Sequence, residues 1–243
     1  MKQLSYLSLG VVSIFFLAFF VSSDLKNFVS NQIAGVIGIE KEVCPSGRGS
    51  IFEDEIMVHV NKEKSLPKDY IPKELVNAFS QVKITKSVCV KKEVLLSLKE
   101  MFEDAEKENI ILAVTSGFRS RETQSWIYKN WIRINEGKTE DRVAKPLHSE
   151  HQLGTTIDLT GKSISYISAA DKFDGTKEDL WLKENAYKYG FVLSYPKGRT
   201  EITGYDYEPW HYRYVGKDNA KEIFEQNISV EEYFNSFLNT QKL

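Results

Sequence analysis

The run from Leu4 to Val21, LSYLSLGVVSIFFLAFFV, carries no charged residue and is apolar on every face of a helix. Inside a globular core such a segment would need a partner on all sides, so a core helix is a poor solution. As a helix it matches about one bilayer core in length. Lys2 precedes the run, whereas Asp24 and Lys26 roughly cancel behind it, which puts the N-terminus in the cytoplasm and the rest outside. Residues 1–23 therefore read as an N-terminal transmembrane helix that anchors an extracellular portion in the cell membrane. A cleaved signal peptide is the alternative, because Val21-Ser22-Ser23 supplies small residues, although no Ala-x-Ala is present.

Export bears on the two cysteines, Cys44 and Cys89. Outside the cell they can pair, closing a loop worth on the order of 4 kcal/mol in the entropy model, or they can stay as two buried thiols. They are too few for a disulfide-built scaffold, and neither has a neighbouring histidine motif that would make it a nucleophile. The core must come from hydrophobic burial, which a chain of 243 residues with 42% hydrophobic composition can supply. Lys+Arg 32 against Asp+Glu 34 gives a net charge of −2, so no global basic field exists and no nucleic acid is expected as a partner.

Residues 24–59 read as a connector and N-terminal extension in front of one domain, 60–243. Within the extension, CPSGRGS (Cys44 to Ser50) has turn residues, and EIMVHVN (Glu55 to Asn61) alternates like a strand. Pro67 and Pro72 keep LPKDYIP extended, after which KELVNAF (Lys73 to Phe79) reads as helical. Val90 to Asn109 repeats apolar residues at helical spacing, IILAVTSGF is a short buried strand, and a helix follows from Arg121 to about Asn135. Glu136 to Lys145 is charged and aperiodic, the pattern of a solvated loop. LGTTIDLT, FVLSYP and WHYRYV are further strands, EDLWLKENAYKYG is a helix closed by Gly190, and a last helix follows Gly216. Strands and helices in irregular order favour an α+β fold with no internal repeat.

Two of the four histidines lie in dense polar motifs, HSEHQLGTTIDLT (His148 to Thr160) and EPWHYRYVG (Glu208 to Gly216). His151 and Asp158 are separated by Gly154, so a turn at the glycine can return the chain and bring both side chains to one metal ion. His211 can supply a third ligand, leaving the fourth position of a tetrahedral zinc ion to water, the composition of a catalytic site. Glu208, three residues before His211, is then placed to act as a general base on that water. Taken singly each residue has a plainer reading: His211 a hydrogen-bonded histidine among aromatics, Asp158 a strand-end cap, Glu208 a surface acid. His148 is a rival ligand on spacing, His59 reads as structural, and Arg121 as a solvated helix charge.

HSEHQLGTTIDL and EPWHYRYVG, with SGFRSRETQ upstream (Ser116 to Gln124) and VNKEKSLPKDYIPKELV (Val60 to Val76) as an entry segment, resemble the VanY-type D-alanyl-D-alanine carboxypeptidases, zinc peptidases of peptidoglycan. The resemblance implies an antiparallel sheet flanked by helices, with Zn2+ as cofactor and peptidoglycan stem peptides as substrate. It puts His151, Asp158 and His211 at the zinc-ligand positions and Glu208 at the catalytic base. Arg119, Gln124 and Ser149 fall at substrate-contacting positions, Arg119 also serving catalysis. Removal of the terminal D-Ala is the activity implied. An L,D-carboxypeptidase acting on tetrapeptide stems and a catalytically spent wall-binding module are the alternatives. A monomer is expected, in the membrane, or secreted to the cell wall if the first segment is cleaved. Thr155 and Thr156 stand where relatives commonly carry smaller or less polar residues.

Overall fold

The computed structural model describes residues 44–45, 56–78, 81–136, 141–167 and 170–240. Leu4–Val21 and the CPSGRGS turn beyond its first two residues lie outside these. Among the described residues no helix is long and apolar enough to cross a membrane.

The architecture is mixed α/β with antiparallel sheets. A two-stranded ribbon pairs β1 (Leu75–Asn77) with β2 (Cys89–Lys91). A four-stranded sheet of β3 (Leu112–Ser116), β4 (Thr156–Gly161), β5 (Phe191–Leu193) and β6 (His211–Tyr214) runs in the spatial order β3-β4-β6-β5, antiparallel throughout. The last strand of the chain thus lies inside the sheet. Its register sets Asp158 opposite His211, and Asp158 also faces Ser116 across an irregularity in β3.

Helix α1 (Lys92–Lys107) covers one face of the core because Val94, Leu98, Met101 and Ala105 recur at helical spacing and are all fully buried. They share one cluster with Val114, Ile157, Leu159, Phe191, Tyr212 and Tyr214. On β4 and β6 the residues between these, Asp158, His211 and Arg213, point to the other face, as period-two side-chain alternation requires. Truncating a core residue such as Leu98 to alanine would cost roughly 2–5 kcal/mol. Helix α2 (Arg121–Ile134) begins at Ser120, whose hydroxyl accepts the backbone N–H of Thr123. Beyond the short α3 (Ala170–Phe173), α4 (Lys177–Asn185) runs through a 3₁₀ turn to Gly190, whose φ of 88° ends it; α5 (Thr200–Thr203) precedes β6.

Three sequence expectations fail, each for a physical reason. In the segment expected as a strand, Glu55–Asn61, the described residues put Val58 and Val60 inside, yet residues 56–60 form no strand: the carbonyls of Ile56 and Val58 accept from the Arg213 side chain instead of a ladder. Of the expected helix Lys73–Phe79, residues 73–78 are described and hold no helix, because Glu74 takes a positive φ of 54° and the next three residues pair with Cys89–Lys91 as β1. The last helix is two, α6 (Lys217–Gln226) and α7 (Val230–Thr240), separated where Asn227 enters the left-handed region. Cys44 and Cys89 form a disulfide that ties the extension to β2.

Candidate metal centre and active site

The 3₁₀ turn Glu150–Leu153 presents His151 just before β4, and Gly154 reverses the chain with a φ of +73°. A Cβ there would stand 2.7 Å from Leu75 Cδ2, so both conformation and space ask for glycine. The reversal brings His151 Nε2 to 3.2 Å from Asp158 Oδ1, and sheet register brings His211 Nδ1 to 3.6 Å from the same oxygen. One donor atom from each of the three residues lies within 4.8 Å of the others, and all three side chains are buried.

The chemistry of this set suits a metal ion. Asp158 Oδ1 is buried with no hydrogen-bond partner among the described residues, although burial makes an unpartnered carboxylate oxygen costly. Each of the three side chains also has its far side occupied, the arrangement that orients metal ligands. His151 Nδ1 is 2.8 Å from the Gly117 carbonyl and His211 Nε2 is 2.9 Å from Glu150 Oε2. Arg119 Nη2 donates to Asp158 Oδ2 at 2.9 Å, and its Nε and Nη2 also reach the Ser116 hydroxyl.

Without metal the two imidazoles are driven apart. Burial and the neighbouring Arg119 charge push His151 down to about 4. Burial works against charge on His211 as well, but its hydrogen bonds to the Glu150 and Glu208 carboxylates carry it up to about 10. Burial would raise the Glu150 carboxyl, yet the Arg213 charge and the His211 hydrogen bond hold it down to about 2. Asp158 is likewise held well below the usual carboxylate range, against burial, by His151 and Arg119.

Glu208 Oε2 stands 3.1 Å from His211 Nδ1, the nitrogen that faces Asp158. The Glu208 carboxylate is therefore beside the donor cluster. Its backbone N–H donates to the Tyr195 carbonyl and its carbonyl accepts from His211 N, which fixes the loop around Pro209. A cleft of about 510 Å³ opens next to this loop, bordered by Arg142, Asp206, Tyr207, Pro209 and Trp210 among others. A larger cavity of about 750 Å³, lined in part by Leu182, Tyr212 and Phe224, includes none of the three donor residues.

The remaining residues singled out in the sequence are placed as follows. Arg119 has a side chain 23% exposed beside the cluster. Gln124 is buried, and its amide nitrogen donates to the Ala144 carbonyl, bracing the 141–145 segment against α2. That segment, read as part of a solvated loop, is tied down further: Asp141 pairs with Lys62 and Arg142 with Asp206. Ser149 is buried at the start of the 3₁₀ turn. His148 turns away from the cluster to the Asn61 carbonyl, and His59 stacks on Phe234 and pairs with Glu231.

Sequence reasoning missed Glu150, Ser194 and Arg213. Glu150 is adjacent to His151, yet its carboxylate crosses to His211, where Ser194 Oγ and Arg213 Nη1 also meet it. The signal available was the alternation in His-Tyr-Arg-Tyr, which sets Arg213 on the His211 face and obliges a buried cation to find a buried carboxylate.

Two histidines and an aspartate converging on one point, with a glutamate alongside, define a mononuclear metallopeptidase type of centre. The D-alanyl-D-alanine carboxypeptidase (VanY) family model matches residues 87–217. The chain belongs to that family. It is 40% identical over 215 residues to the putative carboxypeptidase YodJ of Bacillus subtilis (strain 168), covering 87% of this chain and 76% of the relative. Among solved structures, the LdcB LD-carboxypeptidase superposes with a TM-score of 0.67 at 39% identity, over 72% of this chain and 84% of that one. A Zn(II) complex of the vancomycin-resistance D,D-pentapeptidase VanY superposes with a TM-score of 0.61 at 30% identity, over 74% and 99%.

Proposed function

We propose that this chain is a zinc carboxypeptidase that removes the terminal D-alanine from peptidoglycan stem peptides outside the cell. The observation that carries the reading is the convergence of His151 Nε2, Asp158 Oδ1 and His211 Nδ1 within 4.8 Å, with Glu208 beside them. In this reading the three residues hold Zn2+. Bound zinc supplies Lewis acidity and acidifies water in the site. Glu208 takes the proton of the attacking water and hands it to the departing amine. Arg119 keeps Asp158 oriented, and its partly exposed guanidinium has donors left for the free carboxylate of a C-terminal residue. Gln124 and Ser149 take the substrate-contacting positions that the family resemblance gives them. Residues 1–23 anchor the monomeric enzyme in the membrane, or release it to the wall once cleaved.

The test is mass spectrometry of muropeptides incubated with the enzyme: pentapeptide stems should lose one D-Ala. Amidating the terminal carboxylate should lower kcat/KM about tenfold to a hundredfold, since a hydrogen bond to a charged group contributes roughly 1.5–3 kcal/mol. Equal cleavage of the free acid, its amide and an internally extended peptide would replace the carboxypeptidase reading with an endopeptidase. Loss of alanine from tetrapeptides alone would favour the L,D-carboxypeptidase reading, which the likeness to LdcB supports. Zinc binding without any product would leave a wall-binding module.

A further inference from the structure

Among the described residues Arg213 is the bulkiest completely buried side chain, and the proposed reaction makes no use of it. Its Nη1 donates to Glu150 Oε1 at 3.0 Å. Its Nη2 donates to the carbonyls of Ile56 and Val58 at 3.1 and 2.6 Å, and the guanidinium carbon lies 5.1 Å from the Phe234 ring centre. The second oxygen of Glu150 receives the Ser194 hydroxyl at 2.6 Å and meets His211 Nε2 at 2.9 Å. Both carboxylate oxygens are thus engaged, Oε1 by Arg213 and Oε2 by His211, whose ring has only Nδ1 left for the donor cluster. A buried ion pair of this kind is often replaceable by apolar side chains at little cost in stability, so the fold alone does not call for it.

We propose that Arg213 is a positioning residue for the metal centre, acting through Glu150 to hold the His211 ring with Nδ1 turned toward His151 and Asp158. The extension is then part of the centre's support, because the backbone of Ile56 and Val58 fixes the other side of the same guanidinium. A lysine would keep the charge but could not reproduce a planar fork with donors on both sides. This inference rests on the reading that the three donors bind zinc.

The experiment measures the zinc dissociation constant of the full chain by chelator competition, for wild type, Arg213→Met, Arg213→Lys and Ser194→Ala. Circular dichroism establishes which metal-free variants are folded. Outer-partner substitutions typically weaken metal binding tenfold to a hundredfold, and that loss is expected for Arg213→Met, with a smaller one for Arg213→Lys. Ser194→Ala removes one donor to Glu150 at almost constant volume and should weaken zinc by about threefold to tenfold. At saturating zinc, KM for a stem peptide should hold while kcat falls. Wild-type zinc affinity in a folded Arg213→Met would overturn the proposal. Should that variant not fold, wild-type affinity in both Arg213→Lys and Ser194→Ala would overturn it equally. A wild-type chain that binds no zinc defeats the underlying reading and this one with it, whereas equal affinities beside a zinc-binding wild type defeat this one alone.

Discussion

Asp158 and His211 face each other as register partners on two adjacent antiparallel strands, with Oδ1 and Nδ1 3.6 Å apart. The sheet sets the backbone of these two donors opposite each other, whereas His151 depends on the turn at Gly154.

The three donors should act as a unit toward metal. Wild type should contain one zinc per chain, and alanine at His151, Asp158 or His211 should each abolish stoichiometric binding. Metal analysis of the purified variants checks this, and full occupancy in all three would remove the assignment.

Glu208→Gln keeps the shape of the side chain and leaves the three donors in place. Zinc content should be retained while turnover drops roughly a hundredfold to ten-thousandfold, the usual contribution of a general acid–base group. Near-native kcat in this variant would mean that the proton is carried elsewhere.

Gly154→Ala forces a Cβ into a left-handed backbone position and against Leu75 Cδ2 at 2.7 Å. The left-handed conformation alone costs roughly 1–2 kcal/mol for an L-residue, and the clash adds to it. Urea denaturation should show a lower midpoint at unchanged slope, and zinc affinity should fall in step because His151 is displaced.

Thr156 is completely buried, and its hydroxyl has no hydrogen-bond partner among the described residues. Thr156→Val exchanges that hydroxyl for a methyl group of similar shape on a central strand. Removing an unsatisfied buried hydroxyl should raise stability by about 1 kcal/mol, read as a higher thermal midpoint. A lower midpoint would show that the hydroxyl is satisfied by water.

Ser229 and Glu232 form a reciprocal cap at the start of α7. The Ser229 hydroxyl accepts the Glu232 N–H, and the Glu232 carboxylate accepts the Ser229 N–H and O–H. Burial would raise the Glu232 carboxyl, but these bonds and Arg199 lower it below its ordinary value of 4.5. A depressed folded value means the contribution is complete above that value and is lost as pH falls through the folded one. Wild type should therefore melt higher than Glu232→Gln at neutral pH, and the gap should narrow as pH falls below the ordinary value of 4.5 and through the lower folded one. A gap independent of pH would assign the effect to packing.

That His151, Asp158, His211 and Glu208 come together was legible because they lie in two short motifs, and because Gly154 announces the turn between His151 and Asp158. The elements with strong helical spacing, such as Val94–Ala105, were legible for the same reason: their pattern is local. What escaped was decided at long range. Leu75–Asn77 has the composition of a helix and becomes a strand because Cys89–Lys91 supplies the partner. Glu150 is next to one donor in sequence but serves the other, across a separation of 61 residues. No local pattern states which carboxylate a buried arginine will meet.

The position of β6 also determines when the molecule can first work. Among the described residues β5 pairs only with β6, and β6 closes the sheet between β5 and β4. A chain emerging from its N-terminus therefore has neither a completed sheet nor a third donor until residues 211–214 have arrived. The order of the strands along the chain therefore delays the assembled centre until synthesis has passed residue 214.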